Sequence, residues 1–535
     1  MRQPSSTLSV RLAPAVAACL LASACGGGSA GRAGGQARYA ENGTFTMSVG
    51  DDLGVFDPYQ SNIIKSYYKL AYDSMINIRP DGRLVSGLAD KWSTDTRSAT
   101  FTLRPDVTCS DGTPLTASQV AADLTHVGDP KNKSSLYGSQ VPSTPFAVTG
   151  DDATRTVKIT MRKPYGFILH TIGLFPVICA KGMKDRSILK TSSDGTGPFV
   201  LTKVAPGQSY TFTVRKGYKW GPAGASTGAP GTPRTIRVRI IPNETTAANL
   251  LLAGEINAAS IAGADQRRLT AGGIRKVPMA STGAWLWFNH AARRPTADEQ
   301  VRQALTAGLD IPSLIKVNTG GDGGPSTGLA GFEPKACPGD TVAGRLPKHD
   351  PAAAESLLEQ AGWTKGQDGI RTKNGRQLTL DLHYVPAYSS FNKPTAELVA
   401  AQWKIVGVKV KLTPDTIVAM SQTMFQTTNF DVYMQGYGVF VPSAMVKYIG
   451  GPVPPEGVNL AAIKNKDYDE QTAKAITMTP PQACTYWNQA EQALWRAADI
   501  VPVANRPTMF FLRNAEAQFM GYENPVPSSI RLLGR

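Results

Sequence analysis

Apolar and polar side chains alternate, the period-2 signature of a half-buried strand, at residues 44–49, 99–103, 157–161, 210–215, 235–241, 378–384 and 408–412. Between these runs the apolar positions recur at helical spacing, predicting helices over 117–126, 245–253, 297–308, 351–361 and 395–406. The boundaries carry their own chemistry. Asp350 precedes Pro351, a capping acceptor before a proline at the first helical position, and Gly362 closes the same helix. Strands and helices are interspersed without a strict strand–helix–strand rhythm, which predicts mixed sheets in an α/β chain rather than one doubly wound sheet. Two glycine-rich stretches, 221–232 and 320–328, read as surface loops. No internal repeat is visible.

The first 24 residues break the pattern. Arg2 and Arg11 are their only charges, and an apolar run from Leu12 to Leu21 follows, too short to span a bilayer. It ends at Leu21-Ala22-Ser23-Ala24-Cys25 and then Gly26-Gly27-Gly28-Ser29. Small residues before a cysteine and a Gly/Ser tether after it resemble a bacterial lipobox. The resemblance implies a signal peptide over 1–24, cleavage before Cys25, lipid on its sulfur and a flexible tether over 25–42. Ala22 stands where leucine is commonest, and Val16-Ala17-Ala18-Cys19 is a competing match with hardly any apolar run before it. The remaining chain has no apolar stretch long enough for a membrane helix, which excludes a permease. At 41% hydrophobic and 18% charged residues the full chain is globular rather than disordered. The full chain's net charge of +15, or +13 without Arg2 and Arg11 of the leader, is spread singly, without a Lys/Arg block, and no nucleic-acid motif is present.

Catalytic and metal chemistry finds little purchase. There is no phosphate-binding loop, since Gly320-Gly321-Asp322-Gly323-Gly324 lacks the Lys-Ser/Thr that would complete one, and there is no nucleophile elbow. The five histidines (His126, His170, His290, His349 and His383) show no metal-ligand spacing. The expectation is a non-enzyme with neither cofactor nor metal. Four cysteines remain after Cys25, namely Cys109, Cys179, Cys337 and Cys484, and three disulfide connectivities are possible.

A series of short motifs then carries a resemblance. It begins with Pro80-Asp81-Gly82, Leu88-Ala89-Asp90-Lys91-Trp92, Phe101-Thr102-Leu103-Arg104 and Asp111-Gly112-Thr113-Pro114-Leu115-Thr116-Ala117. It continues through Gly195-Thr196-Gly197-Pro198-Phe199, Tyr218-Lys219-Trp220, Phe288-Asn289, Val301-Arg302-Gln303-Ala304-Leu305, Leu357 to Trp363, Asp368-Gly369-Ile370 and the surroundings of Gly407. Each is weak alone. In this order and at these separations they resemble the extracellular solute-binding proteins of family 5, the peptide- and nickel-binding components of ABC importers.

That resemblance implies a two-lobed periplasmic-binding-protein-like fold of type II (cluster C). Lobe I would take 43–284 and return for 500–535, and lobe II would take 285–499, with a hinge at the two crossings and a ligand trapped between the lobes. A disulfide across the cleft would lock the hinge, so the pairs expected are Cys337–Cys484 within lobe II and Cys109–Cys179 within lobe I.

The expected cleft residues are mostly aromatic. Tyr59 follows Asp57-Pro58, and Trp285 and Trp287 stand at the first crossing before Asn289. The two tryptophans are two apart, so on a strand both face the cleft or neither does. Peptide-binding relatives often carry an Asp that pairs with the ligand's amino group, in a stretch matched here by Gly436-Tyr437-Gly438-Val439-Phe440-Val441-Pro442-Ser443. Phe440 stands in place of that carboxylate, so a free peptide N-terminus would lack its counter-ion unless another acid such as Asp431 supplies one. The resemblance implies a monomeric lipoprotein on the outer face of the cytoplasmic membrane. It would hand a peptide or peptide-like organic ligand to an ABC permease and its ATPase subunits. The alternatives are a secreted biosynthetic enzyme or helper on the same fold, and a ligand sensor.

Overall fold

The computed structural model describes residues 39–60, 67–279, 283–520 and 524–534. The leader, Cys25, Cys19 and most of the tether lie outside the described residues.

Two large mixed sheets organise the chain. The first has seven strands in the order Arg275–Met279, Thr508–Leu512, Ala258–Ser260, Thr44–Val49, Thr235–Ile240, Ser209–Val214 and Phe199–Ala205. Thr44–Val49 is parallel to both its neighbours, and the remaining pairs are antiparallel. The second sheet has five strands in the order Lys409–Pro414, Thr379–Tyr384, Val432–Met434, Trp285–Phe288 and Ile500–Pro502. Its first three run parallel, and Trp285–Phe288 is antiparallel to both its partners. A four-stranded antiparallel sheet, built on Ser98–Leu103 and Thr156–Met161, accompanies the first.

The chain therefore passes between the large sheets twice, after Met279 and after Pro502. Ile500–Pro502, expected to open the returning segment, instead completes the second sheet beside Trp285–Phe288. Its residues are fully apolar and buried, and Leu286 and Trp287 offer them an unpaired edge. The return to the first sheet comes at Thr508–Leu512.

Local chemistry explains where the helices begin. The Thr116 hydroxyl accepts the Gln119 N–H at the head of Ala117–Gly128, and Asp350 accepts the Ala353 N–H at the head of Pro351–Gln360. Asn243, Asp298 and Asp310 cap the helices that follow them in the same way. The strand Trp285–Phe288 shows the period-2 rule directly: Trp285 and Trp287 enter one apolar cluster, Leu286 and Phe288 another on the opposite face. The stretch 320–328 is a surface loop only in its first half, because Ser326 and Gly328 are buried and Gly324–Pro325 pairs with Ala504–Asn505.

Cys109 is joined to Cys179 and Cys337 to Cys484. Cys337 and Cys484 lie in the same apolar cluster as Phe167, whose ring centroid is 6.0 Å from that of Trp487. The second bridge ties the start of Gln482–Arg496 to the Cys337 loop, and both cysteines pack in the cluster that holds Phe167.

Candidate functional site

A cavity of about 630 Å³ opens between segments attached to the two sheets. One wall follows the carboxyl end of Thr44–Val49 and includes Tyr67, Tyr68, Lys69 and His170. The facing wall follows the carboxyl end of Val432–Met434 and includes Tyr437, Phe440 and Tyr448, with Phe332 from a preceding loop. The crevice beyond strand carboxyl ends is where ligands bind in many open α/β sheets, because the loops there diverge and leave space.

The facing wall is an aromatic stack. Tyr437 stands edge-on to Trp287 at 5.7 Å and parallel to Tyr448 at 6.1 Å. Its hydroxyl lies 3.1 Å from Met424 Sδ, and burial pushes its pKa well up. Phe440 pairs with Phe332 at 5.1 Å and keeps 37% of its surface exposed. A Cβ at Gly438 would lie 1.7 Å from Phe332 Cζ, so only glycine lets that ring lie against the backbone there.

On the first wall, burial pushes the Tyr68 hydroxyl up to about 12, while a hydrogen bond from Gln140 counteracts it. His170 is driven down to about 4 by burial alone and is neutral at pH 7. Among the described residues the one lining carboxylate is Asp51, exposed at the rim. Among the described residues, polar contacts at the cavity's edge link the walls. Lys447 Nζ donates to the Gly138 carbonyl at 2.8 Å, and the Tyr165 and Ser443 hydroxyls are 3.5 Å apart.

Of the residues expected at the site, Tyr437 and Phe440 line the cavity; the other four do not. Tyr59 is 1% exposed, and its hydroxyl is 2.9 Å from both Asp123 Oδ2 and the Pro176 carbonyl. It belongs to the first core, where burial pushes Asp123 up to about 8. Trp285 and Trp287 are fully buried and support Tyr437 from behind; Trp287 Nε1 donates to the Gln435 carbonyl at 2.8 Å, whereas Trp285 Nε1 has no partner among the described residues. Asn289 clamps the chain by donating to the Thr428 and Phe430 carbonyls. A bulky aromatic is equally at home in a core or a cleft wall, and Tyr59, Trp285 and Trp287 are core here. Asp431, the alternative acid, does not line the cavity and is engaged by Arg294 at 3.1 Å and the Asp381 N–H at 2.8 Å.

Lys69, Tyr68, His170, Phe332 and Tyr448 escaped the sequence reading. The compact run Tyr67-Tyr68-Lys69, two aromatics beside a cation, was the signal available. The others are lone residues in loops, which no periodicity marks. Among the described residues no group of acids, histidines and cysteines could hold a metal ion. No helix among them is long and apolar enough to cross a membrane.

Comparisons with known proteins agree with this architecture. The chain is 26% identical to Protein XP55 of Streptomyces lividans over 64% of its own length and 60% of that protein. It is 24% identical to the glutathione-binding protein GsiB of Escherichia coli (strain K12), covering 85% of the chain and 88% of the relative. A substrate binding protein from Microbacterium hydrocarbonoxydans, solved with 4-hydroxybenzoate hydrazide, shares the fold with a TM-score of 0.71 at 23% identity, over 91% of this chain and 99% of that one. The family model for bacterial extracellular solute-binding proteins, family 5 Middle, matches residues 83–450. The chain belongs to the family 5 extracellular solute-binding proteins.

Proposed function

We propose that the protein is the lipid-anchored substrate-binding component of an ABC import system, taking up a peptide-like or other small organic ligand that lacks a free ammonium group. In this reading segments 43–279 and 508–534 form lobe I, 285–502 form lobe II, and Tyr437 and Phe440 face the ligand. The observation that carries it is the cavity itself. Its walls come from two separately built sheets joined by two crossings, the geometry in which closure buries most of a ligand's surface. Its walls are aromatic, and the sequence resemblance puts Phe440 at the position of an amino-anchoring acid. A buried ammonium without a paired anion is costly, so uncharged or capped amino ends are favoured. Names of relatives support a small organic ligand: glutathione for one and 4-hydroxybenzoate hydrazide for another. The ligand passes to a permease driven by its own ATPase subunits, and the protein acts as a monomer on the outer membrane face.

Calorimetry of the soluble domain with matched free and N-acetylated di- and tripeptides tests the ligand class, and native mass spectrometry of the purified protein identifies what co-purifies. Acetylated peptides are expected to bind more tightly. Tight binding of free peptides that is lost on acetylation would refute the reading.

A further inference from the structure

Lys69 stands at a seam. It lines the cavity described above, and with Ile78 and Met520 it also lines a second cavity of about 520 Å³ reaching toward Asp73 and Asn77. Its ammonium makes no hydrogen bond or ion pair among the described residues, although its side chain is half buried. Burial lowers its pKa, which the charge of Asp73 only partly opposes. Asp73 is already committed: it accepts from the Tyr218 hydroxyl at 3.0 Å, from Trp220 Nε1 at 3.1 Å and from the Thr196 hydroxyl at 3.2 Å.

Two further nitrogens around the seam also lack partners among the described residues: Asn77 Nδ2, on a side chain 8% exposed, and His170 Nδ1 in the first cavity. Lys69 Nζ and Asn77 Nδ2 are thus donors left without an acceptor among the described residues. Against them stand Asp51, exposed on the rim, and Asp81 at the second cavity's mouth, where Arg79 also lies and Arg83 pairs with the carboxylate. A carboxylate is a pure acceptor with two oxygens, and it fits such a seam by both charge and hydrogen-bonding sense.

We infer that Lys69 anchors a ligand carboxylate, so that the substrate class is aromatic or apolar acids with a blocked or absent amino end. The inference rests on the cavity being the ligand site, as proposed above. It assigns the opposite end of the ligand from the one governed by Phe440.

The test holds the amino end fixed. N-acetylated aromatic di- and tripeptides are offered to the soluble domain in calorimetry, each as the free acid and as the C-terminal amide. The wild type should bind the acids about tenfold or more tightly than the amides, the scale of a charge-assisted hydrogen bond. Lys69→Met should bring acid and amide within about threefold, and Lys69→Arg should keep the preference. Equal binding of acid and amide by the wild type would overturn the inference, as would a preference surviving in a folded Lys69→Met. Failure of every acetylated peptide to bind would overturn it too. A result in which only the free amino end improves binding would instead strike the ligand class proposed above, because that comparison varies the other terminus.

Discussion

Phe440→Asp should convert the cleft into one that welcomes free peptides. The substitution removes the Phe332 ring contact, worth about 0.5–1.5 kcal/mol beyond area. It also removes the burial of about two thirds of a phenylalanine, worth roughly 1–2 kcal/mol. Both losses fall on the protein whichever ligand is present. The new carboxylate gains only with a ligand that carries an ammonium, by about 1.5–3 kcal/mol for a charge-assisted hydrogen bond. Its desolvation cost in the empty protein stays moderate, because position 440 is 37% exposed. The ratio of free to N-acetylated affinity therefore cancels the shared losses and isolates the new pair. That ratio should rise about 10- to 150-fold relative to the wild type. Isothermal titration at pH 7, where both carboxylate and ammonium are charged, measures it. An unchanged ratio in a folded variant would refute the assignment of Phe440 to the amino end of the ligand.

Cys337→Ala with Cys484→Ala should cost more stability than Cys109→Ala with Cys179→Ala. Their separations of 147 and 70 residues correspond to about 5 and about 4 kcal/mol of loop-closure entropy, and urea midpoints showing the reverse order would contradict this. His170 has a folded-state pKa of about 4, below its ordinary value of 6.5. Between these values the unfolded chain takes a proton that the folded one refuses. Stability should therefore fall by at most about 3 kcal/mol as pH drops from 6.5 to 4, and His170→Gln should remove that part. Urea unfolding at pH 7.5 and pH 4.5 compares the two proteins, and a stability difference that does not change with pH would count against the assignment. Cys25→Ser should leave the protein unprocessed or released from the membrane while Cys19→Ser changes nothing; fractionation showing the opposite would move the mature start to Cys19.

The secondary structure was legible because its signals are local. The Thr116 and Asp350 caps sit within three residues of the N–H groups they satisfy, and Thr44–Val49 alternates through its whole length. The site was less so. Period-2 spacing placed Trp285 and Trp287 on one face, but only the arrival of Tyr437 and the helix Gln482–Arg496 decides that this face is core. Tyr59 looked like a cleft residue from its loop, and its fate was settled by Asp123, 64 positions away. Lys69 was invisible for a related reason: a single cation becomes informative only when the space around it and its lack of a partner are known.

The strand Thr508–Leu512 sits inside the seven-stranded sheet, between Arg275–Met279 and Ala258–Ser260, so Ala258 pairs with Leu512 across more than 250 positions. A growing chain cannot build this sheet from its early strands alone. Arg275–Met279 has no other partner in that sheet, and Ala258–Ser260 keeps only the short contact of Met47 with Ala258. The seven-stranded sheet is therefore complete only once the polypeptide has emerged from the ribosome almost whole, and such long-range pairing makes its completion slow. The late strand acts as a timing element, leaving the earlier residues open to chaperones and to threading through a narrow channel for longer than a sheet of sequence neighbours would.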